Sequence, residues 1–507
     1  MQPRAITILE TVPDEVLREM FLNVAAGYPG YDEHSFPVFG PHPLLPVVQV
    51  NRRFNTVANP LLVRNWQLSP AEKSGAKFVL HLLKHPDLRS QVRSLALYEA
   101  SSWSQAPDGR ARREDDNRTP RAPHDRWPQT FCSTVEMEQL AQSAEETYPT
   151  LSSRVHDGEE DSWAGQIRQR SPCAIAALVL AWATGLQELD LMVDAWTEGD
   201  PGLWMMRLVR IAVGVQSPLG VDGRGLPRAP DVFTKLRCVS LGHYGPNGLM
   251  HAAAFFRLPS LRVFKALGMD IAGLTLDVAD PLGSRNALQP PADHLFPNGT
   301  SSVEELHLLN GSLVTDNGFR VLTRSCRRLR VLILQSEWND TRDILYSESI
   351  AAAIRLHSAS LEKILIEGSD DYDDYLSDSD PGSLGDCLLP CVKLESLVIN
   401  LVVLYGREHY DNNPSPTPLS ELLPPGLTDL GLSFRIRKFP PSGAGQATKD
   451  NIVGLLRQCG PKGRFSRLKK IDLVGDSAEF MEDQEIIALA KKAEMELTQH
   501  DGSGGMV

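Results

Sequence analysis

Cysteine and histidine are the residue types that most often bind metals or act as nucleophiles, and their spacing decides whether they can. Cys387 and Cys391 lie four residues apart, with no second pair of metal ligands nearby. Structural zinc sites need two such pairs, so this spacing favours structural thiols over a metal site. His243, His251 and His307 are scattered and form no cluster in the sequence. We therefore predict that the protein holds no metal and no cofactor.

The glycine-rich and basic segments do not predict a phosphate site either. The segment SGAGQATK, which begins at Ser442, lacks the glycine–lysine pair of a P-loop. Arg327, Arg328 and Arg330 come before a predicted strand, where a solvated turn is their usual role. The chain contains no HExxH helix and no nucleophile elbow. We predict a protein that is not an enzyme, while an enzyme whose catalytic residues converge from distant positions stays an alternative.

The composition is that of an acidic globular protein. Of the 507 residues, 42% are hydrophobic and 23% are charged, which supplies enough apolar material for a sizeable core. The formal net charge is -13. Proteins that bind nucleic acids carry a basic surface, so this balance argues against a nucleic-acid partner.

The sequence carries no pattern that would place it in a membrane. Its best apolar run, residues 174–183, is too short to span a bilayer, and the first residues lack the features of a secretory signal. Seven scattered cysteines, an odd number, do not suggest a disulfide framework. We expect a cytoplasmic or nuclear protein with reduced thiols and no membrane partner.

Residues 8–68 have the pattern of a small helical domain. Thr11 and Asp14 have the spacing of a helix amino-terminal cap, and Pro13 suits a first helical turn. The helix that follows is predicted to place these apolar residues on one face: Val16, Leu17, Met20, Phe21 and Val24. After a loop rich in glycine and proline, a further helix repeats apolar residues at helical spacing: Phe54, Val57, Ala58, Leu61 and Leu62.

Two charged segments interrupt the rest of the chain. Residues 101–171 are rich in charge and proline, and we predict a flexible insertion there, with a weak helix near residues 135–146. Residues 368–384 contain six aspartates within eleven positions, whose mutual repulsion favours a solvated acidic loop.

A six-residue pattern, aliphatic-x-x-aliphatic-x-aliphatic, recurs along the remaining chain. Nine segments fit it and a tenth, beginning at Leu261, fits loosely. The nine begin at Val92, Leu186, Leu236, Val303, Leu329, Leu361, Leu394, Leu427 and Leu468. This pattern predicts short strands whose first, fourth and sixth side chains point into a core.

The spacing of the segments and the polar residues inside them distinguish them from chance matches. The starts at Leu329, Leu361, Leu394 and Leu427 are 32, 33 and 33 residues apart. Helix-like stretches lie between the strands. We therefore predict an α/β repeat array that begins at residues 72–100 and continues over residues 172–500.

The segment GFRVLTRSCRRLRVLIL resembles the helix-then-strand unit of leucine-rich repeats. That resemblance makes Cys326 a core cysteine. The asparagine or cysteine that usually follows the strand in that family is missing, so the resemblance implies an irregular leucine-rich-repeat solenoid.

The amino-terminal segments resemble the F-box family. VPDEVLREMF, from Val12, corresponds to the family's leucine–proline pair and first helix, and VNRRF, from Val50, corresponds to its second block with Asn51 in the cysteine position. Such F-box segments followed by leucine-rich repeats are typical of fungal F-box proteins. The resemblance implies a small helical F-box that docks on a Skp-family adaptor and, through it, on a cullin. The adaptor-binding residues implied are Val12, Pro13, Val16, Leu17, Met20, Phe21, Val50 and Phe54.

On this reading the protein selects a target protein for a Skp–cullin–F-box ubiquitin ligase. The target would lie on strand residues outside the core pattern. The candidates are the fifth positions of three segments, Asp190, His307 and Asp472. A protein-interaction scaffold outside any ubiquitin ligase is the alternative.

Overall fold

The structure is a computed structural model. It describes residues 12–26, 30–31, 37–38, 44–68, 73–98, 130–149, 162–193, 208–209, 212–213, 232–243, 248–267, 295–309, 316–336, 347–368, 383–406, 417–433, 444–474 and 483–500. Two units, residues 1–240 and residues 241–507, divide the chain.

The first unit combines seven helices with short strands among its described residues. The helices are α1 (Asp14–Ala26), α2 (Leu45–Val48), α3 (Arg52–Leu62), α4 (Lys73–Lys84), α5 (Thr134–Thr147), α6 (Trp163–Arg168) and α7 (Pro172–Trp182). The strands are β1 (Gly30–Tyr31), β2 (Pro37–Val38), β3 (Asn65–Leu68), β4 (Ser94–Tyr98) and β5 (Glu188–Val193). Strands β1 and β2 form an antiparallel pair, whereas β3, β4 and β5 pair in parallel. Strand β6 (Cys238–His243) follows at the end of this unit in the chain.

The predicted flexible insertion is wrong for its carboxy-terminal part. Helix α5 begins with a capping box between Ser133 and Glu136, and it buries Met137 and Leu140. In α6, the indole Nε1 of Trp163 donates a hydrogen bond to a carbonyl oxygen of α7 at 2.9 Å. Sixteen of the 22 charged residues of the segment fall at residues 108–126 and 154–161, so an average over all 71 positions conceals the apolar faces of the two helices. Residues 101–129 and 150–161 lie outside the described residues.

The apolar run over residues 174–183 forms most of helix α7. Ser171 caps this helix by accepting a hydrogen bond from the backbone nitrogen of Ala174. Residues 173–182 are buried on every side of the helix. Such a helix is apolar all round because it lies inside a folded core. Nowhere in the described residues is a helix long and apolar enough to cross a bilayer.

The second unit alternates strands with helices. Its strands are β7 (Val263–Leu267), β8 (Glu305–Leu309), β9 (Val331–Ser336), β10 (Lys363–Gly368), β11 (Ser396–Asn400), β12 (Asp429–Ser433), β13 (Lys470–Val474) and β14 (Glu496–His500). Its helices are α8 (Gly248–Phe256), α9 (Asp316–Ser325), α10 (Ser347–His357), α11 (Leu401–Tyr405), α12 (Leu419–Leu422), α13 (Ala444–Leu456) and α14 (Gln484–Lys492). A 3₁₀ turn spans Gly385–Leu388.

Strands β7 to β14 pair in parallel and in the order of the chain. The register is regular, since Val331 of β9 lies opposite Lys363 of β10, which lies opposite Ser396 of β11. A parallel sheet in chain order needs a crossover after each strand. Helices lie in the crossovers that follow β8, β9, β11, β12 and β13, and the 3₁₀ turn lies in the crossover that follows β10. The prediction of an α/β chain with short strands and intervening helices is confirmed.

All ten predicted segments contain a strand, and their core positions are buried. The first, fourth and sixth residues of each segment are at most 4% exposed. In the loosely fitting segment, Leu261, Phe264 and Ala266 occupy these positions. Side chains alternate between the two faces of a strand, so the fourth and sixth residues enter the core together. Strands β3 and β14 lie outside the predicted segments. Of the predicted acidic loop, residues 369–382 lie outside the described residues.

Candidate functional site

Helix α1 carries two apolar stripes, one buried and one exposed. Leu17 and Phe21 are 0% and 7% exposed, and they form the inner stripe. Val16, Met20 and Val24 are 48%, 44% and 49% exposed, and they form the outer stripe. Residues four apart share a helical face, whereas neighbouring residues are rotated by about 100°. The outer stripe therefore continues the apolar face of α1 beyond the core, towards solvent.

The inner stripe packs against α3. Leu17 and Phe21 belong to one hydrophobic cluster with Leu44, Phe54 and other residues of α3. The rings of Phe21 and Phe54 meet edge to face, with centroids 5.6 Å apart and planes at 71°. This arrangement is favourable because the positive edge of one ring contacts the negative face of the other. The cluster holds α1 and α3 together without using the outer stripe.

Polar contacts from the start of α3 fix how α1 begins. The Nε atom of Arg53 lies 2.7 Å from a carboxylate oxygen of Asp14, and another guanidinium nitrogen donates to the carbonyl oxygen of Val12. Asn51 caps α3, since its side-chain oxygen accepts a hydrogen bond from the backbone nitrogen of Phe54 at 2.8 Å. Asn51 thus has a structural role at this position.

The residues predicted to bind an adaptor therefore divide into two groups. Leu17, Phe21 and Phe54 lie in the core between the helices, where they hold the unit together and present no surface. The others are reachable: Val16, Met20 and Val50 (63% exposed), the exposed Pro13, and the half-buried Val12. Val24 was not among the predicted site residues, although its spacing of four from Met20 places it on the outer stripe.

The residues predicted to bind a target lie on the strand face opposite the core positions, but the structure does not bring them together. Asp190 lies on β5 opposite Ala96. His307 lies on β8, and Asp472 lies five strands further on, on β13. The fifth positions between His307 and Asp472 are occupied by apolar residues and a glycine: Ile333, Leu365, Val398 and Gly431.

His307 is a neutral histidine in a confined site. Its side chain is 15% exposed, and burial lowers its pKa to about 4, with Lys265 and Lys363 contributing further. Lys265 lies directly opposite His307 on β7, so its charge is held on the same strand face as the ring. The only carboxylate that the structure places beside the ring, among the described residues, is that of Glu305, at 3.5 Å. At neutral pH the ring is therefore an uncharged hydrogen-bonding group.

Asp472 is engaged within the fold. The Nζ atom of Lys470 lies 2.9 Å from one of its carboxylate oxygens, and the hydroxyl of Thr498 donates to the other. The hydrogen bond that Lys470 donates to Asp472 raises the pKa of Lys470. Asp472 is also buried. A target protein would have to compete with these contacts.

Three of the cysteines, Cys326, Cys387 and Cys391, are buried in the core. Burial raises the pKa of the Cys326 and Cys387 thiols to about 12 and that of the Cys391 thiol to about 11, so these thiols stay protonated at neutral pH. Cys391 donates a weak hydrogen bond to the carbonyl oxygen of Cys387 at 3.8 Å. Within the part of the chain that the structure describes, no three histidine, cysteine or acidic side chains are placed to hold a metal ion. The side chains of His243 and His251 lie outside that part.

Arg330, which the sequence places before a strand, is a structural residue. Its guanidinium bridges two neighbouring strands, at 3.4 Å from Glu304 and 2.6 Å from Glu362. Arg262 extends the row, at 3.6 Å from Glu304. The alternating charges therefore join the beginnings of four consecutive strand segments, and they leave Arg330 unavailable for a phosphate ligand.

No family model matches the chain, and no curated protein is significantly similar to it in sequence.

Proposed function

We propose that the protein is the substrate-recruiting subunit of a Skp–cullin–F-box ubiquitin ligase and has no catalytic role of its own. The amino-terminal helices would dock on a Skp-family adaptor, and the adaptor would link the chain to a cullin. The strand face of the repeat units, an irregular leucine-rich-repeat solenoid on this proposal, would hold a target protein.

The outer stripe of α1 is the observation that carries this proposal. Val16, Met20 and Val24 are each about half exposed, although the inner stripe already satisfies the packing of α1 against α3. Full burial of an aliphatic side chain is worth about 1.5–3 kcal/mol, so covering these half-exposed residues favours a partner by roughly 1 kcal/mol each. An interface of this kind depends on a few apolar anchors more than on a large area.

The strand face of the second unit supports the target-binding part. Its third and fifth positions point away from the core, and they vary from lysine at 363 and 265 to aspartate at 429 and 472. The third positions, such as Lys363 and Asp429, are the more accessible of the two, whereas Leu365, Val398 and Asp472 at the fifth positions are at most 8% exposed. A target protein on this face would therefore contact mainly the third positions.

Binding of a purified Skp-family adaptor to the purified full chain, measured by isothermal titration calorimetry, tests the docking step. A variant that combines Val16→Asp and Met20→Asp should lose the adaptor, because two charges would be buried without partners. The matched control is Val135→Asp on α5, another apolar residue that is 68% exposed. It should bind as the parent chain does, and both variants should melt at the parent temperature.

The remaining outcomes have definite meanings. If the parent chain does not bind the adaptor, the ligase assignment is wrong, and a scaffold that works outside any ubiquitin ligase becomes the better description. If the outer-stripe variant binds as tightly as the parent, the adaptor docks elsewhere. Leu17 and Phe21 are unsuitable for this test because their replacement by aspartate would disrupt the helical unit itself.

A further inference from the structure

The crossovers that lead into β9, β10 and β11 carry equivalent positions. Arg324, Leu356 and Leu389 each precede the first buried leucine of their strand segment by five residues. Arg324 lies in the last turn of α9, Leu356 lies in the last turn of α10, and Leu389 directly follows the 3₁₀ turn. The three strands pair in a regular parallel register, so their crossovers are neighbours. Val392 and Lys393 follow Leu389 in the same crossover.

Two of these crossovers expose large aliphatic side chains. Leu356 is 56% exposed, Leu389 is 37% exposed and Val392 is 71% exposed, and we refer to the three as the aliphatic ridge. An ion pair between Arg355 and Asp386, at 3.5 Å, joins the end of α10 to the 3₁₀ turn that precedes Leu389. The ridge therefore spans the end of α10 and the segment after the adjoining 3₁₀ turn, unlike the single exposed aliphatics that are common on protein surfaces.

Cations without ion-pair partners in the described residues flank the ridge. They are Arg324, Arg328 and Lys393, and all three are exposed. Three neighbouring carboxylates already have an arginine partner. The pairs are Glu362 with Arg330 at 2.6 Å, Asp386 with Arg355 at 3.5 Å, and Glu395 with Arg467 at 3.6 Å.

The lowered pKa of Glu362 shows that two of the cations, Arg328 and Lys393, lie close to its carboxylate. Its pKa is lowered first by the hydrogen bond from Arg330 and then by the nearby charges of Arg328 and Lys393. Arg328 and Lys393 belong to the turns on either side of the one that leads to Glu362. Positively charged side chains therefore lie on both sides of the aliphatic ridge, in a chain whose net charge is -13.

We propose that the aliphatic ridge is a docking site for an acidic amphipathic segment of a partner protein. Aliphatic side chains of the segment would cover Leu356, Leu389 and Val392, and its carboxylates would face Arg324, Arg328 and Lys393. An anionic membrane is the less suitable occupant, because the ridge offers three aliphatic side chains and no exposed aromatic residue. The site belongs to the second unit and does not depend on adaptor docking by α1.

The probe is a short synthetic helical peptide with leucines on one face and glutamates on the other, labelled with fluorescein. Its fluorescence anisotropy is followed as the full chain is added at low ionic strength. A matched peptide with lysine in place of glutamate reports on charge. We expect the acidic peptide to bind, added salt to weaken the complex, and the basic peptide to stay free.

Two variants test the two components of the site. Leu356→Ser with Val392→Ser removes the apolar centre, and Arg324→Glu with Arg328→Glu reverses the flanking charge. Each should weaken binding by about tenfold or more, which corresponds to the loss of a few anchoring contacts. The controls are Ile487→Ser, an exposed aliphatic on α14, and Lys462→Glu with Lys469→Glu; they should bind as the parent chain does. Circular dichroism melting should show that all variants are folded.

Three results would overturn the proposal. The first is no binding of the acidic peptide by the parent chain, and the second is equal binding by parent and ridge variants. The third is selective binding to vesicles that contain phosphatidylserine, lost in the ridge variants, without any binding of the peptide. That result would assign the ridge to a membrane surface.

Discussion

The amino-terminal helices and the strands of the second unit use apolar residues in different ways. In α1, six apolar residues fall within nine positions, yet only Leu17 and Phe21 are buried, Leu22 is half-buried, and Val16, Met20 and Val24 are exposed. In β9, the buried Leu332 and Leu334 alternate with residues that face the other side of the sheet. A strand turns its side chain by half a revolution at each step, whereas a helix turns it by about 100°. An apolar pattern therefore fixes orientation more sharply in a strand than in a helix.

The largest effect should come from the core face of a strand. Leu332→Ala removes a fully buried side chain and should destabilise the second unit by about 3 kcal/mol, within the usual range for such cavities. Ile333→Ala, on the opposite face, should cost about 1 kcal/mol or less. Thermal unfolding by calorimetry distinguishes the two. Equal losses would mean that Ile333 is as much a part of the core as Leu332.

The same comparison in helix α1 should give the next largest effect. Leu17→Ala should destabilise the helical unit by about 2 kcal/mol or more, because it empties a site in the cluster around Phe54. Val16→Ala, one residue earlier, should leave stability within about 0.5 kcal/mol of the parent. Hydrogen exchange of the α1 and α3 amides would report on this unit directly. A large loss for Val16→Ala would show that the outer stripe is needed for folding.

The cap of α3 should contribute less than either core residue. Asn51→Ala leaves the backbone nitrogen of Phe54 without its side-chain acceptor, so the helical unit should lose about 1 kcal/mol. Asn51→Asp keeps an acceptor at the cap and should retain most of the parent stability. The same exchange measurement on α3 compares them, and an unchanged Asn51→Ala variant would show that water replaces the cap at no cost.

The smallest effect at neutral pH concerns His307 on the strand face. Its pKa is lowered from 6.5 to about 4 by burial, so the unfolded chain takes up a proton at a higher pH than the folded chain does. The stability from the neutral ring is complete above pH 6.5 and is lost progressively as the pH falls from 6.5 towards about 4. His307→Gln should therefore lose less stability than the parent across this window. His357, whose pKa is lowered by burial, titrates in both chains and cancels in the comparison.

The predicted site residues show which parts of a functional site a sequence pattern can identify. Residue type does not show which of the apolar residues Val16, Leu17, Met20 and Phe21 are buried. Packing with Phe54 in one cluster buries Leu17 and Phe21, whereas Val16 and Met20 stay exposed. The aliphatic ridge had no signal in the strand pattern, because Leu356 lies at the end of α10 and Leu389 follows the 3₁₀ turn, outside the strand segments. Their equivalence appears only when the strands are aligned by their register.

The sequence by itself determined the strand segments, their buried positions and the α/β class, because these follow from local alternation of aliphatic and polar residues. It also indicated the helix over residues 134–147, whose cap lies within a few residues of its apolar face. Only the tertiary structure decided which side of α1 is free, that α5 and α6 are packed, and that β3 and β14 exist. These features depend on contacts between residues far apart in the chain, such as Phe21 with Phe54. A local pattern cannot contain that information, because the partner that buries a side chain is chosen by the whole fold.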